Sequence, residues 1–248
     1  MIKREKRLQL TGRLLALAEM VPDNSRLADV GCDHGYLDIY LVQTGKCPHA
    51  IAMDVRKGPL SAAADHIAQT GLADRIETRL SDGLEMYRCG EADVLVCAGM
   101  GGPLMQKILT DAPDKTADFR ELILQPQSEI MEFRRFLREN LFDITQERVV
   151  YEEGKYYFPM KAVKGKIPKD RYESEDEYRE CFDRFGECLL KSKDPLVKQY
   201  LLEQKVLYEQ IKQRLRTEGA ANERIRIRLE EVEREAAVVS KALVFLQI

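Results

Sequence analysis

Aspartates recur just past apolar runs in three stretches of this 248-residue chain: ADVGCDHG at 28–35, AMDVRKG at 52–58 and LSDGLEM at 80–86. The first has the form of a strand, a glycine turn (Gly31 to Gly35) and a helix, with Asp29 before the turn and Asp33 within it. In a dinucleotide site such a turn lets backbone amides approach a pyrophosphate, and a carboxylate there repels it. The turn therefore argues against NAD or FAD and for a ligand that is cationic and lacks phosphate. S-adenosylmethionine (SAM), with its sulfonium and ammonium groups, meets that requirement. Asp54, about 20 residues beyond the turn, stands where an acid accepts hydrogen bonds from ribose hydroxyls. Ser81-Asp82-Gly83 follows a third apolar run, where Asp82 can take an adenine amino group. Each acid alone reads equally as a solvated loop residue. Three of them at the C-terminal ends of successive strands mark the edge where open α/β sheets bind ligands.

Two further stretches extend that edge. Ala98-Gly99-Met100-Gly101-Gly102 places three glycines in four residues after a fourth strand, more than a tight strand-to-helix turn needs, and lets backbone come close to a flat ligand. Gln125-Pro126-Gln127 follows a fifth strand and offers carboxamides that match a base edge. The site expected from the residues is thus Asp29, Gly31, Asp33, Gly35, Asp54, Asp82, Gly83, Ala98, Gly99 and Met100 around the cofactor, with His34, Gly101, Gly102 and Gln125 toward a substrate. His34 serves base stacking and local backbone bonding equally well. His49, His66 and Tyr36 read as structural.

The elements that must position these groups are legible from periodicity. Apolar runs at 26–31, 49–54, 75–80, 92–98 and 121–125 alternate with helix-like stretches, which is the βαβ rhythm of a buried parallel sheet. Residues 2–20 read as a helix with Leu10, Leu14, Leu17 and Ala18 on one face. Between 143 and 164, DITQERVVY and KYYFPMKAV alternate in the strand manner around Glu152-Glu153-Gly154, predicting one β-hairpin that closes the sheet antiparallel. That ending is associated by fold-level analogy with SAM-dependent methyltransferases. The division expected is a methyltransferase domain over 1–166 and a helical coiled-coil domain over 167–248. In the latter, Ile225, Leu229, Val232, Ala236, Val239, Leu243 and Leu246 form a heptad seam, facing Val197, Tyr200, Leu207, Ile211 and Leu215 of the preceding helix, with Gly219 and Asn222 as caps between them. Packing or self-association into a homo-oligomer explains this hairpin as well as substrate contact does.

Composition narrows the class. No apolar run approaches the ~18 residues of a membrane span, and the start MIKREKRLQL lacks the apolar core of a secretory signal. A cytoplasmic protein with no membrane partner is expected. Six cysteines without a CxxC pair, and three histidines without metal-like spacing, give no support to a metal site. A net charge of −3 excludes bulk electrostatic coating of nucleic acid and leaves room for a local basic patch. Candidates for such a patch are Lys3, Arg4, Lys6, Arg7, Arg13, Arg56 and Lys57, although a solvated face explains the N-terminal cluster equally well.

Taken in order, LADVGCDHGYLDIYL, RLSDGLEM, AGMGG and LILQPQ resemble the TrmK family of bacterial tRNA (adenine-N1)-methyltransferases over residues 5–163. The resemblance implies a class I SAM-dependent methyltransferase fold (Rossmann-like, mostly parallel sheet ending in an antiparallel hairpin), SAM as donor, tRNA as partner, and N1 of adenine 22 as acceptor. With that acceptor, Arg7, Arg56 and Lys57 of the candidate basic patch are expected to contact tRNA phosphates, and Asp33 is expected to act catalytically by stabilising the positive charge that develops on the ring. Asp38, Asp54 and Gln127 stand where proline, glutamate and asparagine are common in that family. Two other readings remain: a methyltransferase acting on a small molecule or protein amine, and a non-catalytic RNA-binding module.

Overall fold

The computed structural model describes residues 8–10, 12–165, 176–217 and 223–247. The chain forms two compact units, 1–166 and 167–248.

Unit 1 is built on a seven-stranded sheet of order β3-β2-β1-β4-β5-β9-β6. The strands are β1 (Leu27–Val30), β2 (Ala50–Asp54), β3 (Ile76–Leu80), β4 (Val94–Met100), β5 (Glu121–Pro126), β6 (Phe142–Glu147) and β9 (Met160–Lys164). β1 to β5 are parallel, and β9 runs antiparallel between β5 and β6. β1, β2 and most of β4 are buried on both faces, which explains their continuous apolar runs.

Side chains alternate between two cores. Leu27, Ala50, Ala52, Val94 and Val96 pack with α1 (Gly12–Met20), α2 (Tyr36–Gln43) and α3 (Lys57–Gln69) on one face. Ala28, Val30, Ile51, Met53, Leu95 and Cys97 pack with α4 (Gly102–Asp111) and α6 (Ile130–Glu139) on the other. Between those two helices lies the short α5 (Pro113–Asp118). The strand order reverses around β1, whose neighbours β2 and β4 leave a crevice at their C-terminal ends.

Two expectations for unit 1 change. The single hairpin over 143–164 is two ladders: β6 pairs with β9 in the main sheet, while β7 (Val150–Glu152) and β8 (Lys155–Tyr157) form a separate two-stranded tip. Pro159, between β8 and β9, has no amide hydrogen to continue a ladder, and its carbonyl instead accepts from Arg148 at 2.9 Å. The tip turns at Glu153 and Gly154, both at positive φ (50° and 78°), the geometry of a tight hairpin. The first helix begins at Gly12; Leu8, Gln9 and Leu10 are not helical, and Gly12 at φ +52° breaks any continuation from them. The part of that expected helix over 2–7 lies outside the described residues.

Unit 2 contains a 3₁₀ turn (Asp176–Tyr178), α7 (Arg179–Phe185), α8 (Glu187–Ser192), α9 (Pro195–Thr217) and α10 (Glu223–Phe245). α9 and α10 pack along each other as a hairpin, burying Val197, Leu201 and Leu215 against Val232, Ala236, Val239 and Ala242. The seam of α9 runs through Leu201 rather than Leu207, which is 45% exposed. The expected caps Gly219 and Asn222 lie outside the described residues. No helix among the described residues is long and apolar enough to cross a membrane.

α6 is tied to the last strands of unit 1 by a buried ion pair, Arg134 Nε donating to Glu147 Oε1 at 2.8 Å with both side chains at most 3% exposed. Removing one member strands the other charge in the core. Glu147→Ala is expected to lower the unfolding free energy of unit 1 by about 3 kcal/mol, read by urea denaturation; a change below about 0.5 kcal/mol, typical of a plain surface site, would show the pair to be dispensable.

Candidate active site

The crevice at the C-terminal edge of β1, β2 and β4 is a cleft of about 440 Å³. Its floor is made by the turn after β1. Gly31 and Cys32 both donate their backbone N–H to the Met53 carbonyl, at 2.8 and 3.0 Å, and the Gly35 N–H closes the turn onto the Cys32 carbonyl at 2.8 Å. Gly31, Asp33 and Gly35 all have positive φ (82°, 52° and 71°), so the chain makes its reversal in five residues. Glycine takes that conformation freely, whereas Asp33 carries about 1 kcal/mol or more of backbone strain in it.

Of the residues expected at the cofactor, Asp29, Gly31, Asp33, Asp54, Asp82, Gly83, Ala98, Gly99 and Met100 line this cleft. Asp29 is 4% exposed at the end of β1, and burial pushes its carboxyl well above the usual range, with Asp38 and Asp54 adding to the shift and Arg13 opposing it. Asp54 is 5% exposed and accepts the Arg56 backbone N–H at 2.8 Å through Oδ1. Asp33 is on the lip, its side chain 62% exposed, 3.8 Å from His34 Nε2 and in a loose ion pair with Arg56 at 4.0 Å. Asp82 is exposed, while its neighbour Ser81 is buried and bonded to the Gly83 carbonyl, fixing the loop.

Gly35 is not on the cleft wall. A Cβ there would meet Ala63 Cβ at 3.2 Å, so this glycine allows α2 to pack on α3 and does not face a ligand. Gly101 and Gly102 likewise belong to packing: a Cβ on Gly102 would stand 2.8 Å from the Ser128 carbonyl oxygen, and one on Gly101 3.0 Å from Ser128 Oγ. Gln125 is fully buried, its Oε1 accepting from Arg13 Nη1 at 3.2 Å and its Nε2 donating to the Pro126 carbonyl at 3.0 Å. Its carboxamide is committed inside the protein, so it does not present a free edge to a base. His34 and Arg56 line the lip; Lys57 is exposed beyond it, at the start of α3. Lys3, Arg4, Lys6 and Arg7 lie outside the described residues.

The structure also brings in side chains that the expected list of site residues did not include. Arg13, grouped above with surface cations, lines the cleft; it is held by Gln125 and has its guanidinium carbon 5.7 Å from the centre of the Tyr157 ring. Glu152 in β7 accepts the Arg13 backbone N–H at 3.3 Å, so the hairpin tip anchors the start of α1. Gln127 is on the wall near Gly99: a Cβ on Gly99 would lie 3.7 Å from Arg13 Nη1 and 3.8 Å from Gln127 Nε2. Tyr36, stacked on His66 with centroids 5.0 Å apart, also lines the cleft, along with Leu104 and Ile108. Period and spacing cannot show that a basic residue on an amphipathic helix points at a buried amide on a distant strand.

The cleft therefore offers four carboxylates against the guanidinium groups of Arg13 and Arg56. A phosphate would be repelled from its floor, and a cation with a nucleoside attached fits. Among the described residues no group of three or more His, Cys, Asp or Glu is arranged to hold a metal ion.

Comparison with known proteins agrees with this geometry. A family described as a methyltransferase domain matches residues 10–160. The tRNA (adenine(22)-N(1))-methyltransferase of Bacillus subtilis is 37% identical over 158 residues, covering 64% of this chain and 66% of that protein. The crystal structure of the B. subtilis m1A22 tRNA methyltransferase TrmK superposes with a TM-score of 0.79 at 32% identity, over 95% of this chain and 99% of that one. The chain belongs to the TrmK family of methyltransferases. A Streptococcus pneumoniae structure described as a putative tRNA (m1A22) methyltransferase in complex with S-adenosyl-L-methionine matches at TM-score 0.78 and 29% identity, over 93% of this chain and 98% of its own. TrmK-family membership and the class I sheet order agree with the expectation drawn from the sequence motifs.

Proposed function

We propose that this protein transfers a methyl group from SAM to N1 of adenine 22 in tRNA. The observation that carries the reading is the acidic, phosphate-repelling cleft at the β1–β2–β4 edge of a TrmK-family chain. When bound, SAM supplies an electrophilic methyl on a sulfonium. Asp54 is assigned to the ribose hydroxyls, Asp82 to the adenine amino group, and Asp29 with Gly31 to the cationic end. The Ala98-Gly99-Met100 strip, with Arg13 and Gln127 beside it, is assigned to the target base. Adenine N1 carries an in-plane lone pair and is uncharged at neutral pH, so the chain needs no general base. Its work is alignment of the reacting atoms and stabilisation of the positive charge that grows on the ring. N1 lies on the Watson–Crick edge, so the base must leave any pair or stack first. Asp33 faces the cleft from its lip and is assigned to the developing charge; its effect grows as bound tRNA excludes water from it.

The tRNA is assigned to a basic rim of Arg56 and Lys57, with His34 beside it; the assignment of Arg7 to tRNA rests on the sequence alone. A tRNA substrate goes with a cytoplasmic location. Self-association is assigned to the apolar stripe Leu202, Val206 and Leu207, exposed on α9.

Labelled SAM with unmodified bulk tRNA should give 1-methyladenosine on nucleoside analysis, with tRNA affinity falling steeply as salt rises, by a log–log slope of roughly −0.7 to −0.9 per phosphate contact. Transfer to an amine substrate instead, or a flat salt dependence, would overturn the acceptor or the rim respectively. Asp54→Ala is expected to weaken SAM binding about tenfold or more, while Asp33→Ala should lower kcat at saturating SAM by roughly tenfold, the weak end of electrostatic stabilisation. Full turnover in the Asp33 variant, with only SAM affinity lost, would make Asp33 a cofactor residue alone. Sedimentation over a range of concentrations tests self-association: a monomer throughout removes that assignment.

A further inference from the structure

Asp38 is fully buried, and its carboxyl oxygens meet no hydrogen-bond donor beyond a loose contact with its own backbone N–H. Its surroundings follow from the alternation of the sheet. Leu27 and Asp29 are two residues apart on β1 and share the face covered by α1, α2 and α3. Asp38 is the third residue of α2, and its carboxyl group faces that of Asp29 at the cleft floor. Two ionised carboxylates offer acceptors and no donor, so their contact becomes a hydrogen bond only when one of them holds a proton.

The other charged groups facing Asp29 are Asp54 from β2, which adds repulsion, and Arg13 from α1, which is shared with Gln125. Around the pair are the thiols of Cys32 in the turn, Cys47 beyond α2 and Cys97 on β4, all pushed up by burial and by the same negative charge, and so neutral. Burial raises the Asp38 carboxyl to about 7.

We propose that Asp29 and Asp38 are a proton-sharing pair beneath the cleft, Asp38 acting as the positioning residue, and that a cationic ligand on the floor expels a proton from the pair to solvent. The proposal concerns the floor of the cleft and rests, for its ligand, on the SAM reading above. A ligand carrying more positive charge favours the ionised pair more strongly. SAM carries a sulfonium that its spent product, S-adenosylhomocysteine, lacks. Proton release is therefore larger for the donor than for the product, and rising pH favours binding of the donor over the product.

Titration calorimetry on the full chain, in buffers of different ionisation enthalpy near pH 7, counts the protons directly. The wild type should release protons on binding SAM and fewer on binding S-adenosylhomocysteine. Its SAM affinity should rise about tenfold between pH 6 and pH 8. In Asp38→Asn the introduced amide donates to Asp29 without titrating, so release and pH dependence should both shrink. Heats independent of buffer in the wild type, or an unchanged pH profile in the variant, would overturn the proposal.

The pair is also testable without ligand. Its carboxyls are raised above their unfolded value of about 4, so the stability it contributes is fully present below that value and is lost as pH rises through about 7. From pH 5 to pH 8 the Tm of the free wild type should therefore fall relative to that of Asp38→Asn. Parallel curves would overturn proton sharing. Absence of SAM binding to either protein would overturn the cofactor reading, and the comparison of free proteins would still decide the pair.

Discussion

The Met53 carbonyl accepts from both Gly31 and Cys32, and on that shared interaction the cleft depends. It pulls the chain leaving β1 toward β2 at the point where the strand order reverses, and opens the side toward β4. Asp29, still on the strand, is left at the floor, while Asp33 is carried to the lip. Two acids four residues apart thus meet different solvents: one is held in a low-dielectric floor that resists its charge, and the other remains hydrated.

Much of the sheet was legible because β1, β2 and β4 read as largely apolar, buried runs with a glycine or an acid at or just past their ends. β1, β2 and β3 fall within one residue of either end of the stretches read from sequence. β4 starts later and runs further, to Met100, since its edge beyond Ala98 pairs irregularly with β5. The hairpin was recognised as antiparallel, but its division at Arg148 and Pro159 was not, although the proline gave the signal. In α9 the register of the seam was ambiguous between adjacent residues: Leu207 and Tyr208 are both suited to a core, and only the packing against α10 decides between them.

The site divides in the same way. Acids at strand ends can be found from sequence because their position along the strand fixes their place at the edge. Glycines cannot be sorted so readily. Gly31 and Gly99 border the cleft, whereas Gly35 and Gly102 admit a helix or a neighbouring backbone, and both uses call for the same residue. Gln125 and Arg13 both depart from the roles expected of them, since the buried carboxamide on β5 holds a guanidinium that reaches into the cleft. That pairing spans 112 residues, beyond the reach of any local pattern.

The grip of Glu152 on the start of α1 has a bearing on the order in which the protein is made. Arg13 leaves the ribosome well before its backbone partner, which is synthesised 139 residues later. A nascent chain halted before the hairpin tip would carry every acid of the cleft without the clamp that seats the guanidinium among them. The wall of the site is thus completed only as the last strands of the sheet are added, and elongation itself keeps the cleft unfinished until the domain is whole.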